Sequence, residues 1–117
     1  MNISYTQLDR LFSTWIRRRD GKCQYCGKSG IRLEAAHMFG RGMKSVRFDP
    51  ENVYAMCGGP SDKTCHHWLD MHNTEKMDWL RKRLGNDRYN ALLLRANAPK
   101  KPDLALIRMW LKVELGK

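Results

Sequence analysis

The sequence lacks any long apolar run. Hydrophobic side chains make up 42% of its 117 residues, yet no stretch approaches the roughly 20 consecutive apolar residues of a membrane-spanning helix. No apolar segment follows a basic start either, so no secretion signal is expected. Repeats and low-complexity tracts are also absent. These absences predict a soluble cytoplasmic protein with a single domain, residues 1–117, whose small core would benefit from a bound metal ion.

Acidic residues are scarce relative to basic ones. The chain has 22 Lys and Arg against 12 Asp and Glu, a formal net charge of +10 and a sequence pI of about 9.8. The positive charges are grouped at residues 17–19, 41–47, 81–83 and 100–101. Such an excess favours a polyanionic partner, most commonly nucleic acid. A merely soluble basic protein is the simpler alternative, but the grouping of the charges favours nucleic acid.

Cysteine is also rare, and the four cysteines form two groups, Cys23 with Cys26 and Cys57 with Cys65. Four thiolates in two groups match the tetrahedral preference of structural zinc, and Gly27 frees the backbone after the second ligand. Disulfides would need an oxidising compartment, to which nothing directs the chain. A thioredoxin-like redox pair is disfavoured because a basic, glycine-bearing stretch follows. We therefore predict zinc, with a loop between the second pair of ligands.

Hydrophobic periodicity predicts a mostly helical α+β fold. A capping box of Ser4 and Gln7 and one apolar face predict an N-terminal helix over residues 5–19. Residues 31–37 and 52–57 alternate like the strands of a hairpin with a long basic connection, and residues 65–71 can form a helix across it. Apolar residues at helical spacing predict helices between residues 73 and 117, with breaks at Gly85 and at residues 98–102. The domain thus divides into residues 5–19, a core over residues 20–72, and C-terminal helices over residues 73–117.

Three polar residues recur at set places in this core. His37 ends the first strand, Asn52 opens the second, and His66 begins the helix. With these residues the sequence resembles the HNH endonuclease family, whose core is a ββα-metal hairpin and helix. The matching stretches are residues 23–27, 33–37, 47–52 and 65–66. A weaker likeness of residues 72–97 is to small phage and prophage HNH proteins, some of them linked to recombination.

The resemblance implies a metal-dependent endonuclease that hydrolyses phosphodiester bonds in DNA. His37 matches the general base of the family. Histidine suits that role because an imidazole with an ordinary pKa of roughly 6.5 can take a proton from water. Asn52 matches the asparagine that holds the loop and orients the base, and His66 matches a ligand of a divalent ion. That ion can be magnesium, manganese, nickel or zinc. DNA would be the partner in a bacterial or phage-infected cell, with phage recombination or packaging proteins as further partners.

The sequence departs from the common family pattern just before the base. Many members carry a metal-binding Asp or His there, and this chain has Ala36. Glu34 shares a strand face with Ala36 and can supply the ligand, as can Asp70, one helical turn after His66. Each also has an ordinary explanation, an ion pair for Glu34 and a solvated helix position for Asp70. The remaining candidate ligands are His67 and His72.

Basic side chains on the loop between the strands lie where a phosphate would approach the base. Contact with phosphate and simple solubility explain them equally well. The same holds for three arginines in the last turn of the N-terminal helix, which can also bond its terminal carbonyls. The candidate DNA-binding residues are Arg41, Lys44, Arg47, Arg17, Arg18 and Arg19.

Ala36 also favours a rival hypothesis, a zinc-stabilised nucleic-acid-binding module without turnover. A protein-interaction adaptor built on the four cysteines is the third hypothesis, and it explains neither the charge nor the placement of His37 and Asn52. We interpret the tryptophans as core or helix-packing residues rather than as a base-stacking platform. They are Trp15, Trp68, Trp79 and Trp110.

Overall fold

The computed structural model describes residues 3–117 and has a mostly helical α+β fold. Within this range, five helices accompany one two-stranded antiparallel sheet. In chain order the elements are α1 (Tyr5–Asp20), β1 (Leu33–His37), a 3₁₀ turn (Lys44–Val46), β2 (Val53–Cys57), α2 (Cys65–Met71), α3 (Asn73–Leu84), α4 (Asn86–Asn97) and α5 (Leu104–Leu115). None of the described helices has the length and apolar character to cross a bilayer.

The predicted N-terminal helix is confirmed and extends one residue further, to Asp20. Its capping box is present, because the Ser4 hydroxyl accepts the Gln7 N–H at 3.1 Å and the Ser4 N–H donates to the Gln7 side chain at 3.4 Å. Gly21 ends the helix at a φ of 70°, a left-handed conformation that favours glycine. The predicted break at Gly85 is also confirmed, where a φ of 83° separates α3 from α4.

The two strands pair in antiparallel register, with His37 opposite Val53 and Leu33 opposite Cys57. The first strand, predicted from residue 31, begins at Leu33, and the second, predicted from residue 52, begins at Val53. One further bond, from the Gly58 N–H to the Arg32 carbonyl at 3.1 Å, extends the pairing beyond Leu33. The 3₁₀ turn in the connection was not predicted from the sequence.

β2 is buried on both faces. Tyr54 and Met56 pack in a cluster with residues of α2, α3 and α4, whereas Val53 and Ala55 pack in a second cluster with α1 and α5. A strand covered on both sides has a continuous apolar sequence rather than an alternating one. The hairpin thus separates two helical layers and carries β1 between them.

Asn52 holds the loop between the strands. It is fully buried, and its Oδ1 accepts the Phe39 N–H at 2.7 Å. Its Nδ2 donates to the carbonyl oxygens of Phe39 and Val46, both at 3.0 Å, while its own carbonyl accepts the Met38 N–H at 2.8 Å. One amide therefore fixes the chain directly after His37 and again at the 3₁₀ turn.

We expect Asn52→Ala to lower the free energy of unfolding by about 2–4 kcal/mol, because it leaves buried backbone groups of the loop without partners. Urea unfolding followed by circular dichroism measures the change. Asn90→Ala, at an exposed position of α4, is the matched control and should change stability by less than about 0.5 kcal/mol. Equal effects of the two substitutions would contradict the role given to Asn52.

Candidate functional site

The four predicted zinc ligands converge. The Sγ atoms of Cys23, Cys26, Cys57 and Cys65 all lie within 4.8 Å of one another, and none is in a disulfide. With zinc–sulfur bonds of about 2.3 Å, the sulfurs of a tetrahedral site are about 3.8 Å apart, so the cluster fits. It is the one group of this kind in the described part of the chain. The cysteines can therefore hold a metal ion.

Two local structures bring these thiols together. In the turn at residues 23–28, which we call the knuckle, Gly27 has a φ of 81° and the Cys26 N–H donates to the Cys23 sulfur at 3.4 Å. The knuckle docks on β2 through a 2.9 Å bond from the Gln24 N–H to the Ala55 carbonyl. Across the cluster, the N–H of Cys65 donates to the Cys57 sulfur at 3.2 Å. The site thus joins the knuckle, the end of β2 and the start of α2.

The thiols differ in acidity. Burial raises the pKa of Cys23, but hydrogen bonds from nearby backbone N–H groups outweigh burial, so that its pKa falls to about 7. Burial and the adjacent thiols instead raise the pKa of Cys57 and that of Cys65. Cys23 is therefore the thiol best prepared to ionise, and a bound cation would bring the others to the thiolate form.

His37 is half-buried at the end of β1. Its Nε2 lies 2.9 Å from the carbonyl oxygen of Arg47. Because a carbonyl can only accept, Nε2 carries the proton of the neutral ring and Nδ1 keeps a lone pair. Burial lowers the pKa of His37 to about 4, and the charges of Arg41 and Arg47 add to this effect against the hydrogen bond from the ring. The ring is therefore neutral at pH 7 and can accept a proton at Nδ1.

Glu34 faces His66 across the start of α2. Its Oε1 lies 2.9 Å from Nδ1 of His66, and its Oε2 accepts from Nη2 of Arg32 at 3.0 Å. Burial would raise the pKa of Glu34, but His66 and Arg32 outweigh it and lower the pKa, so the carboxylate is ionised. Ala36, on the same strand face, is 2% exposed and packs in the core.

Glu34 occupies space that a missing side chain provides. A Cβ atom added to Gly58 would lie 2.1 Å from Oε1 of Glu34, well inside van der Waals contact. In this position of the Glu34 side chain there is no room for a side chain at residue 58, so any other residue there would displace the carboxylate. The sequence placed this glycine only in the loop between Cys57 and Cys65, because nothing local to it indicates a neighbour 24 residues earlier in the chain.

Asp70 lies at the other ring nitrogen of His66. Its Oδ2 is 3.5 Å from Nε2, and its Oδ1 is 3.4 Å from Nζ of Lys76. The two nitrogens of an imidazole point away from each other, so Glu34 and Asp70 cannot both join His66 around one ion. When the bonds from an ion to its ligands are about 2.1 Å long, neighbouring ligand atoms lie about 3 Å apart. The 2.9 Å distance between Oε1 of Glu34 and Nδ1 of His66 fits this value. The geometry favours Glu34 as the second ligand.

The other two histidines have separate environments. His67 is exposed. His72 donates from Nδ1 to the Trp68 carbonyl at 2.7 Å and stacks on the Trp68 ring. In the described structure neither ring bonds to Glu34 or His66.

A basic groove runs beside these residues. One cleft of about 520 Å³ follows β1 and is lined by Glu34 and His66. A second, of about 510 Å³, runs along α1 and shares Arg17 and Arg41 with the first. His37 bonds to the carbonyl oxygen of Arg47 at 2.9 Å, and Arg47 lines the second cleft. The cationic residues of the basic groove are Arg10, Arg17, Arg32, Arg41 and Arg47.

Several of the predicted DNA-binding residues hold the fold together. Arg47 makes two bonds to the Asp9 carboxylate, at 3.1 and 2.5 Å. Arg19 pairs with Asp20 and donates to two backbone carbonyls, and Arg18 donates to the carbonyl of Leu115. Of the six, Arg17 and Arg41 line both clefts, and Lys44 is exposed over the ring of Tyr5. In the described structure Arg10, Arg17 and Arg41 are the groove cations without an ion pair, whereas Arg32 and Arg47 pair with Glu34 and Asp9.

Comparison with known proteins returns no match to the chain, whether among protein-family models, curated proteins or solved structures. The likeness to HNH endonucleases therefore rests on the quoted residues and on their chemistry.

We expect the purified protein to contain one zinc ion per chain, because four clustered thiolates bind zinc tightly. Cys23→Ser should lose the metal and lower Tm by more than about 10 °C, as measured by elemental analysis and thermal unfolding. Ser29→Ala, at an exposed position beside the knuckle, should leave both values unchanged. A metal-free protein with the Tm of the parent would contradict this expectation.

The low pKa of His37 predicts a pH dependence of stability. The pKa is about 4 in the folded chain and roughly 6.5 in the unfolded one, so the unfolded state binds the extra proton first. Stability from the neutral ring is complete above pH 6.5 and is lost as the pH falls to about 4, with a total of about 3 kcal/mol. Urea unfolding across this range should show the loss, and His37→Gln should flatten it. A ring that titrates near 6.5 by NMR would contradict the prediction.

Proposed function

We propose that the protein is a metal-dependent endonuclease of the HNH kind that hydrolyses phosphodiester bonds in DNA. In this proposal β1, β2 and α2 form a ββα-metal core, and the cysteine cluster holds structural zinc. The observation that carries the proposal is the placement of an ionised Glu34 and His66 in an arginine-lined cleft, with the neutral His37 bonded to Arg47, which lines the adjoining cleft. Hydrolysis of a phosphodiester needs a proton acceptor, a site for a cation and positive charge along the backbone, and these features supply all three.

His37 is the proposed general base. Nδ1 would take a proton from the attacking water, and the bond from Nε2 to the Arg47 carbonyl would hold the ring in place. Its pKa of about 4 makes it a weak base in the free protein. A phosphate in the basic groove would offset the charge of Arg41, which contributes to that low pKa, and would so raise the basicity of the ring when DNA is bound.

Glu34 and His66 are the proposed ligands of the catalytic ion. When bound, a divalent ion supplies a Lewis acid that stabilises negative charge on the phosphate and on the leaving 3′ oxygen. Arg32 balances the charge of Glu34 at 3.0 Å, and Asp70 contacts the opposite nitrogen of His66 at 3.5 Å. A carboxylate at that nitrogen favours the tautomer whose Nδ1 can bind a cation.

DNA would lie along the basic groove, with Arg17 and Arg41 contacting its phosphates. Both residues line the cleft that contains Glu34 and His66 and the cleft that follows α1. Such contacts bind any sequence, so they position the backbone without selecting bases. By family resemblance, cleavage would leave a 5′ phosphate.

A zinc-stabilised nucleic-acid-binding module without turnover is the second candidate. One observation favours it: Ala36 is buried in the core, so the strand offers a single carboxylate, and the proposed ion has only two protein ligands. Both candidates bind DNA, and they differ in whether His37 and Glu34 matter for cleavage.

We expect the parent to nick supercoiled plasmid with magnesium or manganese, and His37→Ala to lower the rate by about 10²–10⁴-fold while DNA binding is retained. Glu34→Gln should cause a similar loss and weaken manganese binding, measured by electron paramagnetic resonance. Asp70→Asn should slow cleavage by about 10–100-fold, because Asp70 orients His66 without binding the ion.

His67→Ala is the matched control, because it removes an exposed histidine next to His66 on the same helix, and it should cleave like the parent. Zinc content is measured for each variant so that loss of the cysteine site is not mistaken for loss of catalysis. Undiminished cleavage by His37→Ala would refute the mechanism. Tight DNA binding by the parent with no cleavage under any ion, on plasmid and on DNA with a single-stranded segment alike, would favour the binding module.

A further inference from the structure

Three aromatic rings form an exposed stack beside the cysteine cluster. The Trp68 ring lies on His72 with centroids 4.0 Å apart and planes at 11°, and the Tyr25 ring is 6.1 Å from Trp68 at 33°. Tyr25 is 41% exposed and Trp68 39% exposed. We call these three residues the aromatic ladder. Of the two environments predicted for Trp68, the core is wrong, because Leu69 is the residue that α2 buries.

A small cleft opens between the ladder and the loop before α2. It has a volume of about 300 Å³ and is lined by Tyr25, Trp68 and residues 62–65, which include Lys63. Pockets of small ligands start at about this volume. The cleft combines flat apolar walls with Lys63 and Asp62 at its rim. The walls suit a planar ring, and Lys63 is the group that can contact an attached anion.

Shielding of the cysteine sulfurs does not explain this exposure. Apolar side chains that cover a site gain stability when their own surface is removed from water. Tyr25 and Trp68 instead leave about two-fifths of their surface in contact with water. Tyr25 lies between two of the thiol ligands in sequence, and its ring is also 6.4 Å from Trp79. The ladder is thus supported from beneath and open on its outer side.

We propose that the aromatic ladder binds an unpaired nucleobase of a DNA strand, with Lys63 contacting the adjacent phosphate. The inference rests on the proposed function only in taking DNA as the ligand. Bases inside a duplex have both faces covered, whereas the bases of single strands, frayed ends and branch points can stack on protein rings. The ladder therefore selects DNA with unpaired bases.

The ladder and the proposed catalytic residues share one short helix. His66 and Trp68 are two positions apart on α2, about 200° around its axis, so they lie on nearly opposite sides. A strand anchored at Trp68 would cross α2 to reach the basic groove. The proposed substrate is therefore DNA with a single-stranded segment next to the cleaved bond.

Binding of a fluorescent 15-nucleotide oligothymidylate and of a blunt duplex tests the inference by anisotropy. Tyr25→Leu and Trp68→Leu keep an apolar cover over the cysteines but remove the flat ring. Each should bind the single strand about tenfold more weakly and the duplex within twofold of the parent. The salt dependence should be unchanged because no phosphate contact is lost, whereas Lys63→Gln should reduce its slope by about one.

Leu94→Ala is the matched control, since Leu94 is an apolar residue that is 75% exposed on α4. Zinc content is checked in every variant. If Trp68→Leu loses zinc, the single-strand affinities of Tyr25→Leu and of His72→Ala test the inference in its place. Unchanged single-strand affinity in zinc-loaded variants overturns the inference. So does an equal loss for single strand and duplex, or a parent that does not bind single strands. Because no cleavage is measured, failure of the plasmid assay and failure of this test are separate results.

Discussion

The convergence of the four cysteine sulfurs is the constraint on which the rest of the structure depends. Helix α2 has only 7 residues, which is too short to be stable by itself in water. Its direction is therefore set by what holds its ends, and its first residue, Cys65, belongs to the cluster. His66 follows directly and is brought to Glu34, while Gly58 follows Cys57 and leaves room for the Glu34 side chain. Two residues next to cysteines thus owe their positions to the cluster, and a bound metal ion would connect folding to the proposed chemistry.

Asn52 performs a comparable task for His37 without a metal. The hairpin register places His37 opposite Val53, so the chain enters and leaves the loop at nearly the same point. The buried amide of Asn52 joins those two ends and the 3₁₀ turn. The carbonyl that fixes the His37 ring belongs to Arg47, immediately after that turn. In a chain of this size, whose core is small, a metal cluster and one buried amide provide order that apolar packing alone would not.

The sequence predicted the elements of this fold better than their contacts. Caps and apolar stripes located the helices because they depend on residues a few positions apart, as the Ser4–Gln7 box illustrates. The convergence of the cysteines, which are up to 42 residues apart, was predicted from the ligand chemistry of zinc and not from a local pattern. The dependence of Glu34 on Gly58, the pairing of Arg47 with Asp9 and the exposure of Trp68 all involve residues distant in the chain, and no local pattern signals them. The sequence therefore overestimated how many basic residues of the loop are free to bind phosphate, since Arg47 is already paired within the fold.

The difference in burial between positions 36 and 34 explains why the carboxylate of β1 lies at Glu34 and not at position 36. The side chain at 36 packs in a core cluster with Tyr54 and Met56, where an unpaired carboxylate would be strongly destabilising. Two residues earlier on the same face, Glu34 lies at the rim, where Arg32 and His66 stabilise its charge. Gly58 leaves room for that carboxylate. The rim of β1 therefore keeps one ionised group beside His66 even though position 36 is apolar.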